Sequence, residues 1–259
     1  MPAKNFRSLL LIPVVLVLAT PALWAQDDAK QFHWNGKLAV DNTIQVKGIN
    51  STIDARRAPG DEAEVTAEIS GTHADEVRIE VVPNADGITV CEIYRGHNSC
   101  EGGSSSNHDS DYDRVRIHYH ILVPSTVRFD GRTVNGGVTA ENLDRRVIAK
   151  SVNGSVKVST KSWAEASSVN GSVTAAMGSA DWTGSLRISS VNGSVTVALP
   201  ADANVDVSFS SVNGHFSSEL PVTTQSVNRG RMEGRIGNGG RSLELRSVNG
   251  SAELKKNSI

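Results

Sequence analysis

Hydrophobic residues recur at every second position through most of this chain. Leu186, Ile188 and Ser190 share one parity, as do Val205, Val207, Phe209 and Ser211, and Leu243, Leu245 and Ser247. Val156 and Val158 are in step with one another, and so are Val195, Val197 and Leu199. Alternation of period two marks strands with one buried face. Upstream, "AEVTAEISG" at 63–71, "EVRIEVV" at 76–82, "GITVCEIYR" at 87–95 and "RVRIHYHILVP" at 114–124 read the same way, with "PNADG" at 83–87 as a turn. On the last of these strands Val115, Ile117, Tyr119, Ile121 and Val123 share one face.

Between the alternating stretches one motif returns. It reads "TVNGGV" at 133, "SVNGSV" at 151, 168 and 190, "SVNGHF" at 211, "SVNRGR" at 226 and "SVNGSA" at 247, with a degenerate "GINSTI" at 48. The asparagines at 135, 153, 170, 192, 213, 228 and 249 are spaced by 18, 17, 22, 21, 15 and 21 residues. A period near 20 with variable insertions is expected of stacked units, none of which can bury its apolar face alone. Ser190 and Val195, inward residues of the flanking strands, are an odd step apart, so the chain turns between them. Asn-Gly supplies the turn, since both residues tolerate positive φ.

Two geometries satisfy this arithmetic: an antiparallel meander with tight hairpins, or a β-solenoid in which Asn-Gly is a corner. A hairpin needs a turn but no identical neighbours. Stacked coils do need them, because each Asn or Ser can then hydrogen-bond its copy in the next coil. The expected fold is therefore all-β, a single-stranded, β-helix-like solenoid of roughly 15–22-residue coils with VNG corners, preceded by a β-rich N-terminal cap. The corner residues are Asn135, Gly136, Asn153, Gly154, Asn170, Gly171, Asn192, Gly193, Asn213, Gly214, Asn249 and Gly250. The expected division is 1–25 a signal peptide, 26–124 β-rich N-terminal coils or a capping sheet with a Cys91–Cys100 loop, and 125–259 the VNG-repeat solenoid.

Composition fits many short strands: aromatics are only 5%, and Gly, Ser, Val and Asn abound. The formal net charge is −2. A mildly acidic chain with scattered cations has no electrostatic footprint for nucleic acid. Lys4 and Arg7 precede an apolar run, Leu9 to Leu18, and then "ATPALWAQDD". This is the layout of a secretory signal, cleaved after Ala25 or, alternatively, after Ala22. The run is shorter than the roughly 20 residues a spanning helix needs, so no transmembrane segment is expected after cleavage. In an oxidising compartment Cys91 and Cys100 most simply form a local disulfide, worth about 2–3 kcal/mol.

The stretch "VRIHYHILVPSTVRFDGRTVNGGVTAENL" followed by spaced "SVNGSV" units resembles the bacterial putative adhesin family, a domain of unknown function. The resemblance runs from about Phe32 to Leu254 and is most specific where Val123 and Pro124 feed the first Thr133-Val134-Asn135-Gly136. It implies a β-solenoid with an adhesive role and brings no catalytic residues. The chain departs from it in the Cys91 to Asp113 insertion and in "SVNRGRMEGRIGNGG" at 226–240.

Chemistry is sought among polar residues the repeat does not explain. His118 and His120 project from one strand face, and His97, His108, Asp109, Asp111 and Asp113 lie in the adjacent loop. His118 and His120 with His108 or a loop aspartate could hold zinc or copper, although no specific metal motif is matched and "DSDYD" lacks the glycine and terminal glutamate of an EF-hand. The alternative is a solvated strand face beside an acidic loop. "GGSSSNH" has no nucleophile elbow, and "IGNGG" at 236–240 reads as a wide turn rather than a phosphate loop. The Asn-Gly-Ser sequons at 153, 170, 192 and 249 are accounted for by the turns.

The functional expectation is a non-enzymatic, extracytoplasmic scaffold of a bacterial envelope, periplasmic, secreted or at the surface. It would need no cofactor, and would contact polysaccharide, an envelope protein or its own copies. The alternatives are a carbohydrate-active enzyme, which needs two or more carboxylates converging in a groove, and a periplasmic metal-binding protein using the His118/His120 strand.

Overall fold

The computed structural model describes residues 29–95, 100 and 115–257. The expected signal segment and the loop carrying His97, His108, Asp109, Asp111 and Asp113 lie outside them. The N-terminal strands are β1 (Lys30–Lys37), β2 (Thr43–Lys47), β3 (Ser51–Arg57), β4 (Glu62–Ser70), β5 (Arg78–Asn84), β6 (Gly87–Ile93) and β7 (Arg116–Val123). The repeats supply β8 (Arg128–Asn135), β9 (Val138–Leu143), β10 (Val147–Asn153), β11 (Val156–Thr160), β12 (Ala164–Asn170), β13 (Val173–Met177), β14 (Ser185–Asn192) and β15 (Val195–Leu199). The chain ends with β16 (Val205–Ser210), β17 (Phe216–Ser218), β18 (Val222–Asn228), β19 (Arg231–Ile236), β20 (Arg241–Asn249) and β21 (Ala252–Lys256).

These strands form a β-solenoid with two facing sheets. One runs β1-β4-β7-β3-β9-β11-β13-β15-β21-β17, the other β18-β19-β16-β20-β14-β12-β10-β8-β2-β6-β5. Each repeat gives one strand to each sheet and pairs in parallel with its neighbours, as β10 does with β8 and β12. The odd step across the Asn-Gly corner is what aims both strands' apolar residues inward. Val138, Val156, Val173, Val195 and Ala252 stack in register in one sheet, and all are at most 1% exposed. Burial of such aliphatic columns between the sheets supplies the main stabilisation.

The Asn-Gly corner is short and constant, whereas the opposite corner varies in length, which explains the uneven spacing of the motif. Three residues separate β9 from β10 and β11 from β12, but residues 178–184 separate β13 from β14. In that longer corner Trp182 turns inward, 2% exposed, and donates to the Ser242 carbonyl at 2.9 Å. The spacing of 18 rather than 17 between Asn135 and Asn153 has a local cause. β9 carries one residue more than β11, the register shifts between Val158 and Thr160, and Asn142 takes φ 57°, a bulge.

The corners correct the reasoning that motivated them. Among the VNG glycines only Gly136 has a strongly positive φ, at 149°. What demands glycine is proximity: a Cβ on Gly154, Gly171, Gly193 or Gly250 would strike the backbone carbonyl of Gly136, Gly154, Gly171 or Gly193, respectively, one coil away. The asparagines do bond copy to copy. Each side-chain amide donates to the next carbonyl oxygen along Asn213, Asn249, Asn192, Asn170, Asn153, Asn135 and Asn50, at 2.8–2.9 Å. The serines do not bond one another. Ser151, Ser168, Ser190 and Ser247 are buried and donate to the carbonyls of Gly136, Gly154, Gly171 and Gly193 at 2.7–3.0 Å. The Gly154, Gly171 and Gly193 amides in turn donate to the Asn170, Asn192 and Asn249 carbonyls at 3.0–3.1 Å.

Stacking order departs from chain order at both ends. The β20/β21 coil lies between β14/β15 and β16/β17, and β2/β3 lies between β6/β7 and β8/β9. "SVNRGR" is not a corner: Asn228 ends β18, which pairs antiparallel with β19, and β19 pairs antiparallel with β16. At the other end β4, β1 and β5 are likewise antiparallel additions. Residues before 124 thus provide both coils and cap, and the sheets continue past 124 without a break.

The N-terminal end of the corner ladder is closed by a carboxyl group. Ser51 occupies the place of a corner glycine, its carbonyl accepting from Thr133 Oγ1 at 2.8 Å, but the coil beyond it, β6/β7, has no Asn-Gly there. The Ser51 hydroxyl donates instead to Glu92 Oε1, while the Ile49 amide and the Tyr94 hydroxyl donate to Oε2 at 2.9 and 2.8 Å. Burial pushes the Glu92 carboxyl above its ordinary value, against the opposing effect of these donors. Burial and the nearby Glu92 carboxylate raise the Tyr94 and Tyr119 phenols as well.

Gly193→Ala should lower stability by about 1–3 kcal/mol through overpacking, and Gly193→Val by more. Gly60→Ala, where a Cβ meets nothing within 4 Å, should change it by less than about 0.5 kcal/mol; urea unfolding of the three variants checks this, and a parental Gly193→Ala would remove the steric reading. At pH values between the ordinary and the raised native value, Glu92 holds a proton in the native state that it has lost in the unfolded chain. Its contribution is greatest below the ordinary value of 4.5 and declines as pH rises from there to the native pKa. Glu92→Gln, whatever its fixed cost, should therefore gain stability relative to the parent as pH is raised from about 4 to 7. A pH-independent difference between the two unfolding free energies would refute this.

Candidate functional site

The alternation of β7 sends Ile117, Tyr119 and Ile121 into the core and leaves His118 half-buried and His120 exposed on the outer face. β7 is flanked by β3, parallel, and β4, antiparallel. His118 lies opposite Thr52 and Glu68, and His120 opposite Asp54 and Thr66. Asp54 Oδ2 is 2.7 Å from His118 Nε2, and the two imidazole centroids are 4.2 Å apart with planes inclined at 40°. Donor atoms of Asp54, His118 and His120 all lie within 4.8 Å of one another. Thr66 Oγ1 donates to the His120 carbonyl at 3.3 Å, and one row farther His33 meets Glu64 at 3.2 Å.

Asp54 was not singled out from the sequence. It stands in the degenerate repeat, and the alternation of β3 already turns Thr52, Asp54 and Arg56 outward. Nothing local, however, says that this coil neighbours β7, from which it is separated by the strands β4, β5 and β6. His108 and the loop aspartates lie outside the described residues. Cys91 and Cys100 are joined as a disulfide, with Cα atoms 5.8 Å apart.

A second feature runs the length of the stack. Along the Asn-Gly corners Val134, Val152, Val169 and Val191 are 37–39% exposed, and beside them the asparagine ladder and Ser155, Ser172 and Ser194 face solvent. The result is a narrow ridge with one valine column, one amide column and one hydroxyl column, repeating at the strand spacing of about 4.8 Å. The sheet faces flanking it carry cross-strand ion pairs, among them Lys150 with Glu165 and Lys157 with Glu141 at 2.6 Å, and Arg187 with Glu244 at 2.7 Å. Pairs this exposed contribute little to stability, but they neutralise one another and favour the observed register.

The glycine-rich 236–240 segment is a turn held from below. Asp206 accepts from the Gly240 amide at 2.9 Å and from Arg235 Nε at 2.8 Å, and Asn204 Oδ1 accepts from the Asn238 amide at 2.7 Å. The Arg235 hydrogen bond, joined by the Gly240 amide, holds the Asp206 carboxyl below its ordinary value. The amides of Asn238, Gly239 and Gly240 are therefore engaged by the protein's own acceptors. No helix among the described residues is long and apolar enough to cross a membrane.

No curated protein matches the sequence. Among solved structures, a putative cell adhesion protein from Clostridium sporogenes is 12% identical, with a TM-score of 0.45, covering 88% of this chain and 100% of its own. A putative adhesin from Bacteroides fragilis is 12% identical with a TM-score of 0.33, covering 88% and 98%. One from Parabacteroides distasonis is 15% identical with a TM-score of 0.28, again covering 88% and 98%. Residues 127–255, which hold the stacked coils, corners and capping hairpin, match the Toastrack DUF4097 family model, and this segment is a Toastrack domain of that family of unknown function.

Proposed function

We propose that this protein is an extracytoplasmic, non-enzymatic scaffold of a bacterial envelope, and that its Val/Asn/Ser ridge adheres to envelope polysaccharide. The ridge carries the proposal. A sugar ring offers an apolar C–H face and a hydroxyl edge, and the ridge offers an apolar column beside amide and hydroxyl columns, held flat by the ladder beneath. The amides of Asn153, Asn170 and Asn192 bond one another in one direction, each through one N–H, and a side-chain amide carries a second N–H that can serve a ligand oxygen. Repetition makes binding multivalent, so that weak contacts with a repeating chain add up. Export is supported by the cationic and then apolar start of the chain and by the Cys91–Cys100 disulfide.

The test is co-sedimentation of the purified protein with peptidoglycan and, separately, with isolated surface polysaccharide. The parent should be retained on one of them. The triple variant Val152→Glu, Val169→Glu, Val191→Glu, which changes only exposed side chains, should fold normally and lose retention by at least roughly tenfold, through several weakened contacts. No retention of the parent on either material, or equal retention of the variant, overturns the proposal.

A further inference from the structure

The cluster on β3 and β7 lies on an outer sheet face and plays no part in the ridge. Two imidazoles and one carboxylate form a mixed nitrogen and oxygen donor set of the kind that borderline divalent ions take, zinc foremost. At zinc–ligand distances of about 2.0–2.2 Å, donors in a tetrahedral site sit roughly 3–3.5 Å apart. Here they already lie within 4.8 Å, so small side-chain rotations suffice. All three residues stand on paired strands in the interior of a sheet, where the backbone holds them more firmly than a loop would. The 2.7 Å contact between Asp54 and His118 also fixes the orientation of one ring before any ion arrives.

We propose that Asp54, His118 and His120 bind a divalent transition-metal ion of the zinc class, leaving the remaining coordination position to water or an outside ligand. Binding replaces the Asp54–His118 contact with two metal bonds and fastens β3 to β7. Those strands belong to different coils, so the ion stabilises the N-terminal end of the stack. Thr52 and Glu68, beside His118, and Thr66, beside His120, complete the immediate surroundings. Glu68 is exposed and adds negative charge that favours a cation.

The experiment uses the full chain, expressed without a histidine tag and stripped with chelator. It is titrated with zinc by calorimetry and with cobalt(II), whose visible absorption reports coordination geometry. One equivalent of zinc should bind, cobalt should give the intense bands of a four-coordinate site, and zinc should raise the melting temperature. Asp54→Asn, His118→Ala and His120→Ala should each weaken binding by at least roughly tenfold, while His33→Ala should bind like the parent. Melting of each variant without metal verifies that it folds, and the near-isosteric Asp54→Asn keeps the test open should a histidine variant fail. Absence of stoichiometric binding, parental affinity in Asp54→Asn, or binding that survives the double His118→Ala, His120→Ala variant would overturn the proposal.

Discussion

The close approach of successive chain segments at the Asn-Gly corner governs this structure. Corners are where a solenoid leaves the regular ladder, and there peptide groups risk burial without partners, at a cost of about 1–3 kcal/mol each. Here the corner backbone is paired along the stack: a glycine amide finds an asparagine carbonyl in one neighbour, and the glycine carbonyl receives a serine hydroxyl from it. These bonds form only if the backbones come so near that no Cβ fits between them. The four letters S, V, N and G thus record one constraint. Serine fills an orphan acceptor, asparagine runs the external ladder, glycine permits the approach, and valine is the residue left facing outward.

The same constraint explains how the stack ends. A parallel ladder has no natural terminus, and exposed edges invite pairing with other chains. At the N-terminal end the Glu92 carboxyl group replaces the absent corner, and antiparallel β4, β1 and β5 extend the sheets beyond the coils. At the other end the β18/β19 hairpin covers β16. The ends are built from antiparallel strands whose sequences lack the intact motif, which is how repeat proteins commonly separate capping from stacking.

Alternation and the recurrence of Asn-Gly were enough to read strands, corners and the facing of the core, because both follow from a period of two and a two-residue turn. Positive φ does not account for these glycines: it is a property of one residue, whereas the demand at Gly154, Gly171 and Gly193 comes from a neighbouring coil. Layer order was illegible for a related reason. Coils that share serine, asparagine and glycine in register are interchangeable at their contact surfaces, so nothing local assigns the 241–256 coil to its slot. Asp54 escaped notice on the same ground, since its closeness to His118 follows from layer order alone. The candidate site was half visible, as a His-x-His strand without its carboxylate.

Placing the last coil inside the stack also bears on how the molecule carries force. In a solenoid stacked in chain order, tension on the C-terminus peels the outermost layer one hydrogen bond at a time. Here the final strand, β21, is gripped by β15 on one side and β17 on the other, and its pull is directed along parallel ladders. Tension on β21 therefore loads many bonds in shear at once rather than opening them one by one.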